Sequence, residues 1–568
     1  MAQTTAQAEY QAWLEDINMD AETKAELAGL QGQTAEIEER FYRDLEFGTG
    51  GLRGVIGAGT NRINRYTVAR ATQGLAEFIV ASGNQRPSAV IAYDSRNQSP
   101  ELALETALVL AGNGVKAYLF ESLRPTPELS FAVRHFKSDA GVVITASHNP
   151  PEYNGYKAYG SDGGQLVPAD AEQVIARVNA IDSFSKIKRL SREEAEQNGL
   201  LVRIGAEIDE AYIQAVASVS RNPEVVRSVS GDFKIVYTPL HGAGNLPVRR
   251  ALERIGFTQI SVVAEQELPD ANFSTVKSPN PEEREAFALA IEAAKQQQAD
   301  IIIGTDPDCD RMGAVVKNAQ GEYVVLTGNQ SGAIMVNYLL ESMKQQGDLP
   351  ANAAVIKTIV TSEMGAVIAR HYGAAVLNTL TGFKYIGEKM TQFEQSGQHT
   401  FVFGYEESYG YLAGTHARDK DAVVASMLIC EAAAYYKSQG KTLYEVLQEL
   451  YARFGTFLER LESRTLKGKD GVSQIASIMD SWRSAPPSDL NGIAVEAVQD
   501  YSQGLDGLPK ENVLKYTLAD GSWFCLRPSG TEPKIKVYFA VQGASEQDAE
   551  QKVQRLVQSV MTRVDNHE

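Results

Sequence analysis

The chain has 568 residues, too many for one core, and its 43% hydrophobic and 22% charged content is ordinary for a soluble globular protein of several domains. A formal charge of −18 excludes nucleic acid and anionic membrane as natural partners and requires positive charge to be gathered locally around any anionic substrate. Cys309, Cys430 and Cys525 are few, odd in number and far apart, so neither a disulfide framework nor a zinc site is expected. No run is long and apolar enough to span a bilayer, and a cytoplasmic protein is the expectation.

In chain order, residues 6–29 are acidic and alanine-rich and predict a helix, without the basic-then-apolar pattern of a leader. One local plan then recurs three times. An apolar strand ends in a polar or glycine-bearing turn, a helical stretch follows, and a small residue introduces a second apolar strand. The copies open at 88–93, 233–237 and 354–360, and their returning strands follow Gly114, Gly256 and Gly373. Strand, helix and strand at this spacing predict βαβ units and three related α/β domains. The last hundred residues differ. A helix at 472–483, two short strands at 523–526 and 535–538 and an amphipathic helix at 545–564 form an α+β pattern, and a boundary within 454–466 would let this module move.

Four polar segments are set into this framework. After the apolar run 142–144 comes Thr145-Ala146-Ser147-His148-Asn149-Pro150-Pro151. The prolines fix φ and cannot continue a helix or a ladder, so Ser147 is expected on a stiff, exposed turn suited to a nucleophile or phosphate carrier. After 301–303 comes Gly304-Thr305-Asp306-Pro307-Asp308-Cys309-Asp310-Arg311. Three alternating carboxylates suit a hard divalent cation such as Mg²⁺, the spacing is not that of a calcium loop, and Arg311 can pair with the acids or with a phosphate. After 401–403 comes Gly404-Tyr405-Glu406-Glu407-Ser408-Tyr409-Gly410, whose carboxylates and serine can accept hydrogen bonds from sugar hydroxyls. The fourth segment, Arg527-Pro528-Ser529-Gly530-Thr531-Glu532-Pro533-Lys534, combines cations, hydroxyls and free backbone N–H groups into a phosphate cradle. Read alone, each also has a plain structural reading: an ordinary polar turn, an acidic turn, a helix-entry loop and a hairpin tip.

Taken together and in this order, TASHNPPEYNGYK, GTDPDCDR, YEESYG and RPSGTEPKIKVY resemble the α-D-phosphohexomutase superfamily, and FGTGGLRG at 47–54 is similar to its N-terminal signature. The resemblance covers nearly the whole chain. It implies three related mixed-sheet α/β domains plus a smaller C-terminal α+β lid domain around a central cleft, divided here at 1–208, 209–322, 323–455 and 456–568. It also implies a phosphosugar mutase. Ser147 would carry the transferable phosphate, and glucose 1,6-bisphosphate would be the activator and bound intermediate between glucose 1-phosphate and glucose 6-phosphate. Mannose and pentose phosphates are alternative substrates on this scaffold; a hexose-bisphosphate synthase or a sugar phosphatase is a more distant reading. One Mg²⁺ per chain would sit on Asp306, Asp308, Asp310 and an oxygen at Ser147. His148, Lys157 and Lys420 are the proton carriers to weigh, since a lysine beside a cation can have a lowered pKa. Arg53, Arg311, Glu406, Ser408, His416 and Arg418 would contact substrate, and Arg527, Ser529, Gly530, Thr531 and Lys534 would hold the distal phosphate. The partners implied are small sugar phosphates bound by a monomer or small homo-oligomer. Tyr405 is a departure from the glycine of the best-known animal phosphoglucomutases, similar to the branch with bacterial phosphoglucomutases and animal phosphopentomutases. Its ring could fill space left by a smaller sugar.

Overall fold

Three mixed sheets and one antiparallel sheet follow one another along the chain in the computed structural model, which describes residues 5–48, 50–466, 471–529 and 534–566. The first sheet has the order Gly51–Val55, Tyr153–Gly160, Ala140–Ile144, Ser88–Tyr93, Lys116–Phe120, Leu201–Ile204. The second has the order Tyr323–Val325, Met312–Lys317, Ile301–Thr305, Lys234–Thr238, Gln259–Val262. The third has the order Ala375–Thr379, Ala353–Thr358, Thr400–Glu406, Gly410–Ala413. In each of the three, one strand runs against its neighbours: Tyr153–Gly160, Met312–Lys317 and Gly410–Ala413.

Each reversed strand directly follows a buried strand of the parallel set. The turn that makes the reversal is one of the three polar segments. Val142, Val143 and Ile144, and likewise Ile301, Ile302 and Ile303, are fully buried, as expected of β-branched residues in strands covered on both faces. The polar residues after them mark the point where the chain emerges from that cover.

The second and third sheets share one apolar core that runs from Tyr212 to Tyr451. Tyr323–Val325 completes the second sheet although it follows residue 322, where a division was expected.

The fourth sheet is larger than the two predicted strands. Thr456–Thr465, Lys534–Gly543, Trp523–Pro528, Leu514–Leu518, Ile493–Asp500 and Asp489–Leu490 pair antiparallel in that order. Helices Gly471–Ser484 and Glu546–Asp565 cover one face around Trp482, Phe524 and Phe539. The other face packs Trp523 and Tyr538 against Ile359, Val360 and Leu380 of the third unit. Most of the stretch expected to hold the boundary, Thr456–Thr465, belongs to the fourth sheet as an edge strand paired along its whole length with Lys534–Gly543. The crossing between the two units lies at Gly455, whose φ of 99° only glycine adopts readily.

The N-terminal helix predicted as one piece is two, Thr5–Glu15 and Ala21–Ala28, followed by Thr34–Phe41. Asp20 causes the break: its carboxylate accepts the Thr23 N–H at 2.8 Å and so starts a new helix. All three cysteines are buried and free. No described helix is long and apolar enough to cross a membrane.

Candidate active site

Ser147 lies on the first reversal turn with φ 54°, a left-handed conformation uncommon for a residue with a Cβ. Contrary to the expected exposed turn, it is only 3% exposed. The loop is held from inside. Arg96, itself buried, donates from Nη2 to the Ser147 and Asn149 carbonyls (2.6 and 2.5 Å) and from Nη1 to those of Pro150 and Tyr153 (2.8 and 3.1 Å). Asp94 pairs with Arg96 at 3.3 Å and accepts the Thr145 hydroxyl at 2.6 Å, while Thr145 Oγ1 accepts the Ser147 N–H at 2.8 Å. Asp94 and Arg96 sit in the turn after Ser88–Tyr93. The sequence marks that turn as polar but assigns it no role.

The metal-type loop meets the serine directly. Ser147 Oγ donates to Asp306 Oδ2 at 2.8 Å and lies 3.2 Å from His148 Nδ1. Asp306, Asp308 and Asp310 are buried, and each offers a carboxylate oxygen within 4.8 Å of the others, a group that could hold a metal ion. The donors fit a hard cation. Asp308 Oδ1 and Asp310 Oδ1 are buried and receive no hydrogen bond, the condition of oxygens available to an ion. Burial, then the charges of Asp308 and Asp310, push the Asp306 carboxyl well above the usual range.

Lys157 Nζ contacts Asp308 and Asp310 at 2.8 and 3.2 Å, and Lys420 Nζ contacts Asp310 and Asp419 at 3.2 and 3.3 Å. Burial alone would lower both ammoniums. Asp308 and Asp310 outweigh it at Lys157, and Asp310, Asp419 and Glu406 outweigh it at Lys420, so both lie above the ordinary lysine range rather than below it. Burial, then the guanidiniums of Arg311 and Arg53, push the His148 imidazole down to about 3, so it is neutral at physiological pH. Gly410 lacks a side chain where one would overlap Lys420 Cδ, which lets the lysine cross beneath the third loop.

Above this floor opens a cleft of about 610 Å³ walled by all four units. Arg53 and His148 line it from the first, and Arg311 from the second. Glu406, Ser408 and Lys420 line it from the third, and Arg527 with Lys536 and Tyr538 from the fourth. Arg311 donates to Glu282 at 2.6 Å and to the Ser408 carbonyl at 3.2 Å, tying the second loop to the third. Glu406 Oε1 accepts the Gly382 N–H at 2.8 Å. Glu407 also lines the cleft, and its carboxylate accepts the hydroxyls of Thr358 and Thr361.

Lys536 is a cleft cation that the motif reading missed. Burial, then the nearby Arg527 and Lys534, lower its pKa, which marks a crowd of positive charge facing the opening. Ser529 N–H donates to the Lys534 carbonyl at 2.7 Å and closes the base of the fourth loop. Gly530 and Thr531 lie outside the described residues.

Two predicted substrate contacts are placed behind the cleft. Arg418 is 1% exposed; it pairs with Glu394 at 2.7 Å and donates to the Thr415 and Ala417 carbonyls. His416 Nε2 bonds Asp421 Oδ2 at 2.7 Å, and the same carboxylate accepts the Tyr212 hydroxyl. Both belong to the packing between units. Tyr405 also points away from the opening. Its ring fills a slot left by Gly332 and Gly365, where any Cβ would overlap it, so it does not narrow the cleft.

Known proteins resemble this chain along most of its length. Residues 44–185, 210–321 and 327–454 match alpha/beta/alpha domains I, II and III of the phosphoglucomutase/phosphomannomutase description, and 469–558 match its C-terminal domain. A phosphoglucomutase of Staphylococcus epidermidis (strain ATCC 12228 / FDA PCI 1200) is 39% identical over 517 residues, 89% of this chain and 92% of its own. The chain belongs to the phosphoglucomutase/phosphomannomutase family. A second member, the phosphoglucomutase of Staphylococcus aureus (strain MSSA476), is 37% identical over 539 residues, 92% of this chain and 95% of that one. The fold is shared more widely within the family. The open form of the Paramecium phosphoprotein pp63/parafusin superposes with a TM-score of 0.73 at 16% identity, over 92% of this chain and 95% of that one. A phosphoglucomutase/phosphomannomutase family protein of Burkholderia thailandensis superposes at 0.66 and 18% identity, over 92% and 98%.

Proposed function

We propose that this protein interconverts glucose 1-phosphate and glucose 6-phosphate through a phosphoserine at Ser147 and a bound glucose 1,6-bisphosphate. The observation that carries the reading is the Ser147 hydroxyl 2.8 Å from the first of three buried aspartates, at the floor of a cleft whose far wall carries Arg527 and Lys536. One end of the cleft suits transfer and the other suits a resting phosphate.

In the forward half-reaction a hydroxyl oxygen of the sugar monophosphate attacks the phosphorus on Ser147. The new P–O bond forms as the P–Oγ bond breaks with its electron pair left on Ser147 Oγ, and the hydroxyl proton passes by way of a group at the cleft floor to that leaving oxygen. His148 lines the opening as a neutral imidazole and is positioned to receive it; Lys420 also lines the opening but is held protonated by Asp310 and Asp419, and so supplies positive charge, whereas Lys157 lies behind and holds Asp308 and Asp310. Asp306, Asp308 and Asp310 would hold one Mg²⁺, a Lewis acid that takes charge from the transferred phosphoryl group. The bisphosphate then turns end for end, and its other phosphoryl group returns to Ser147.

Arg527, Ser529, Lys534 and Lys536, with Gly530 and Thr531, hold the phosphate that is not reacting. Its binding energy orients the opposite end, and closing the lid keeps water from the phosphoserine. Arg53 and Arg311 flank the transfer end. Glu406 and Ser408 read the equatorial 3- and 4-hydroxyls, which nearly superimpose after the turn; the 2-hydroxyl is read less strictly. Comparing kcat/KM for glucose 1-phosphate, mannose 1-phosphate and ribose 1-phosphate tests the reading. Glucose should lead and mannose follow; a preference for ribose would overturn the choice of sugar.

A further inference from the structure

In each of the three α/β units, the loop that reaches the cleft floor is braced by the turn after a neighbouring parallel strand. In the first, Asp94 and Arg96 follow Ser88–Tyr93, which pairs with Ala140–Ile144, and hold the Ser147 loop. In the second, the turn after Lys234–Thr238, which pairs with Ile301–Thr305, donates the Ala243 N–H to the Pro307 carbonyl of the metal loop at 2.8 Å. Gly242 leaves room in that turn where a Cβ would overlap Pro307. In the third, the turn after Ala353–Thr358, which pairs with Thr400–Glu406, donates the Thr358 and Thr361 hydroxyls to Glu407 Oε2 at 3.2 and 3.1 Å.

The third turn is also the seat of the lid. Its Ile359 and Val360 pack against Val513, Trp523 and Tyr538 of the fourth unit. Lys515, on the lid strand Leu514–Leu518, is buried there; its Nζ donates to the Ile359 carbonyl at 2.7 Å and lies 4.2 Å from the centre of the Trp523 ring. From beneath, the buried Lys357 donates to the Thr358 and Thr361 carbonyls at 3.3 and 3.1 Å and pairs with Glu363 at 2.8 Å. Two ammoniums, one from each unit, thus hold three carbonyls of a single turn. Burial, then Lys357, lower the Lys515 ammonium to about 8. An apolar contact between the units would avoid that cost. A hydrogen-bonded one fixes the turn against both neighbours in one arrangement.

We propose that the turn Thr358–Ser362 couples the sugar loop to the lid, with Thr358 and Thr361 as positioning residues. Their hydroxyls seat Glu407, and through it the adjoining Glu406 and Ser408. The same turn passes the position of that loop to Lys515 and Trp523. The inference rests on the mutase reading above, in which Glu406 and Ser408 meet the sugar and the lid meets the distal phosphate. One element then senses both ends of the substrate, and the lid settles fully only when the sugar loop is occupied as well as the phosphate cradle.

Trp523 is a reporter built into the contact, since its emission depends on the cation over its ring. In the full chain with Mg²⁺, saturating glucose 1,6-bisphosphate should change tryptophan emission, and Trp523→Phe should assign the change to that ring. Thr361→Val, nearly isosteric and on the sugar-loop side of the turn, should lose most of the change at saturation and lower kcat/KM for glucose 1-phosphate about tenfold, the counterpart of one hydrogen bond to a charged group. Thr361→Ser, which restores the hydroxyl, should recover both, and Thr358→Val should repeat the loss. Lys515→Met should also lower kcat/KM about tenfold. Combined with Thr361→Val it should fall well short of the product, about 100-fold, because both break the same path. In an active parent, a Trp523 signal that ignores the ligand, an undiminished signal in Thr361→Val and Thr358→Val, or factors that multiply in the double variant would overturn the proposal alone. A parent with no mutase activity would overturn the functional reading and the coupling with it.

Discussion

Arg96→Lys isolates the part of the framework that presents Ser147. The guanidinium serves four backbone carbonyls of the serine loop, all within 3.1 Å, and pairs with Asp94. A lysine keeps the charge but offers three donors from one point, so it cannot span both pairs of carbonyls and also reach Asp94. Losing two charge-assisted bonds costs about 3 kcal/mol of stability, from about 1.5 kcal/mol each at the low end of their range. The turn then has less to hold Ser147 at its φ of 54°, a conformation worth about 1–3 kcal/mol of strain when unsupported. A shift of Oγ by about 1 Å costs on the order of 100-fold in transfer rate. KM should stay within about twofold if, as proposed, the distal phosphate is bound across the cleft. Steady-state kinetics in both directions, alongside denaturant unfolding, measure the two effects separately. A variant that loses the expected stability yet retains its kcat would refute the idea that the clamp positions the serine.

Three further outcomes follow from the geometry. Burial, then Glu406, raise the Glu407 carboxyl from 4.5 to about 7. A folded-state pKa above the unfolded value stabilises below pH 4.5, and that contribution is lost as pH rises through 7. Glu407→Gln should therefore match the parent in urea at pH 4 and exceed it by about 1–3 kcal/mol at pH 8, the lower part of the range reflecting its partial exposure; equal differences at both pH values would refute this. Arg418→Met should lower stability by about 2–4 kcal/mol with KM unchanged, whereas Arg527→Ala should keep its stability and lose about 1.5–3 kcal/mol in kcat/KM. The reverse pattern would return Arg418 to the substrate. Tyr405→Phe should leave the ratio of kcat/KM for glucose 1-phosphate over ribose 1-phosphate within about twofold, and a marked shift toward ribose would contradict the placement of its ring behind the cleft.

What the sequence revealed and what it hid have physical reasons. The loops at Ser147, Asp306 and Glu406 were legible because each follows a run of buried β-branched or aromatic residues, and a polar cluster there marks where the chain leaves cover. The need for local cations was legible from the net charge, but not the direction each cation points. Arg418 therefore read as a substrate contact although it pairs with Glu394, and Lys536, part of an ordinary strand alternation, went unnoticed. Arg96 bonds four main-chain carbonyls more than fifty residues away; main-chain partners leave no side-chain pattern to read. The shared core of the second and third sheets was hidden for a similar reason, since helix Ala422–Ser438 is apolar nearly all round and its packing partners are not encoded locally.

The central claim is that Ser147 carries the phosphoryl group. Incubation with glucose 1,6-bisphosphate followed by intact-mass measurement and peptide mapping tests it most directly. The parent should gain one phosphoryl group on Ser147 and lose it on addition of excess glucose 1-phosphate, and Ser147→Ala should gain none and show almost no turnover while folding normally. Full activity in Ser147→Ala, or stable phosphate on another residue with Ser147 unmodified, would contradict the account.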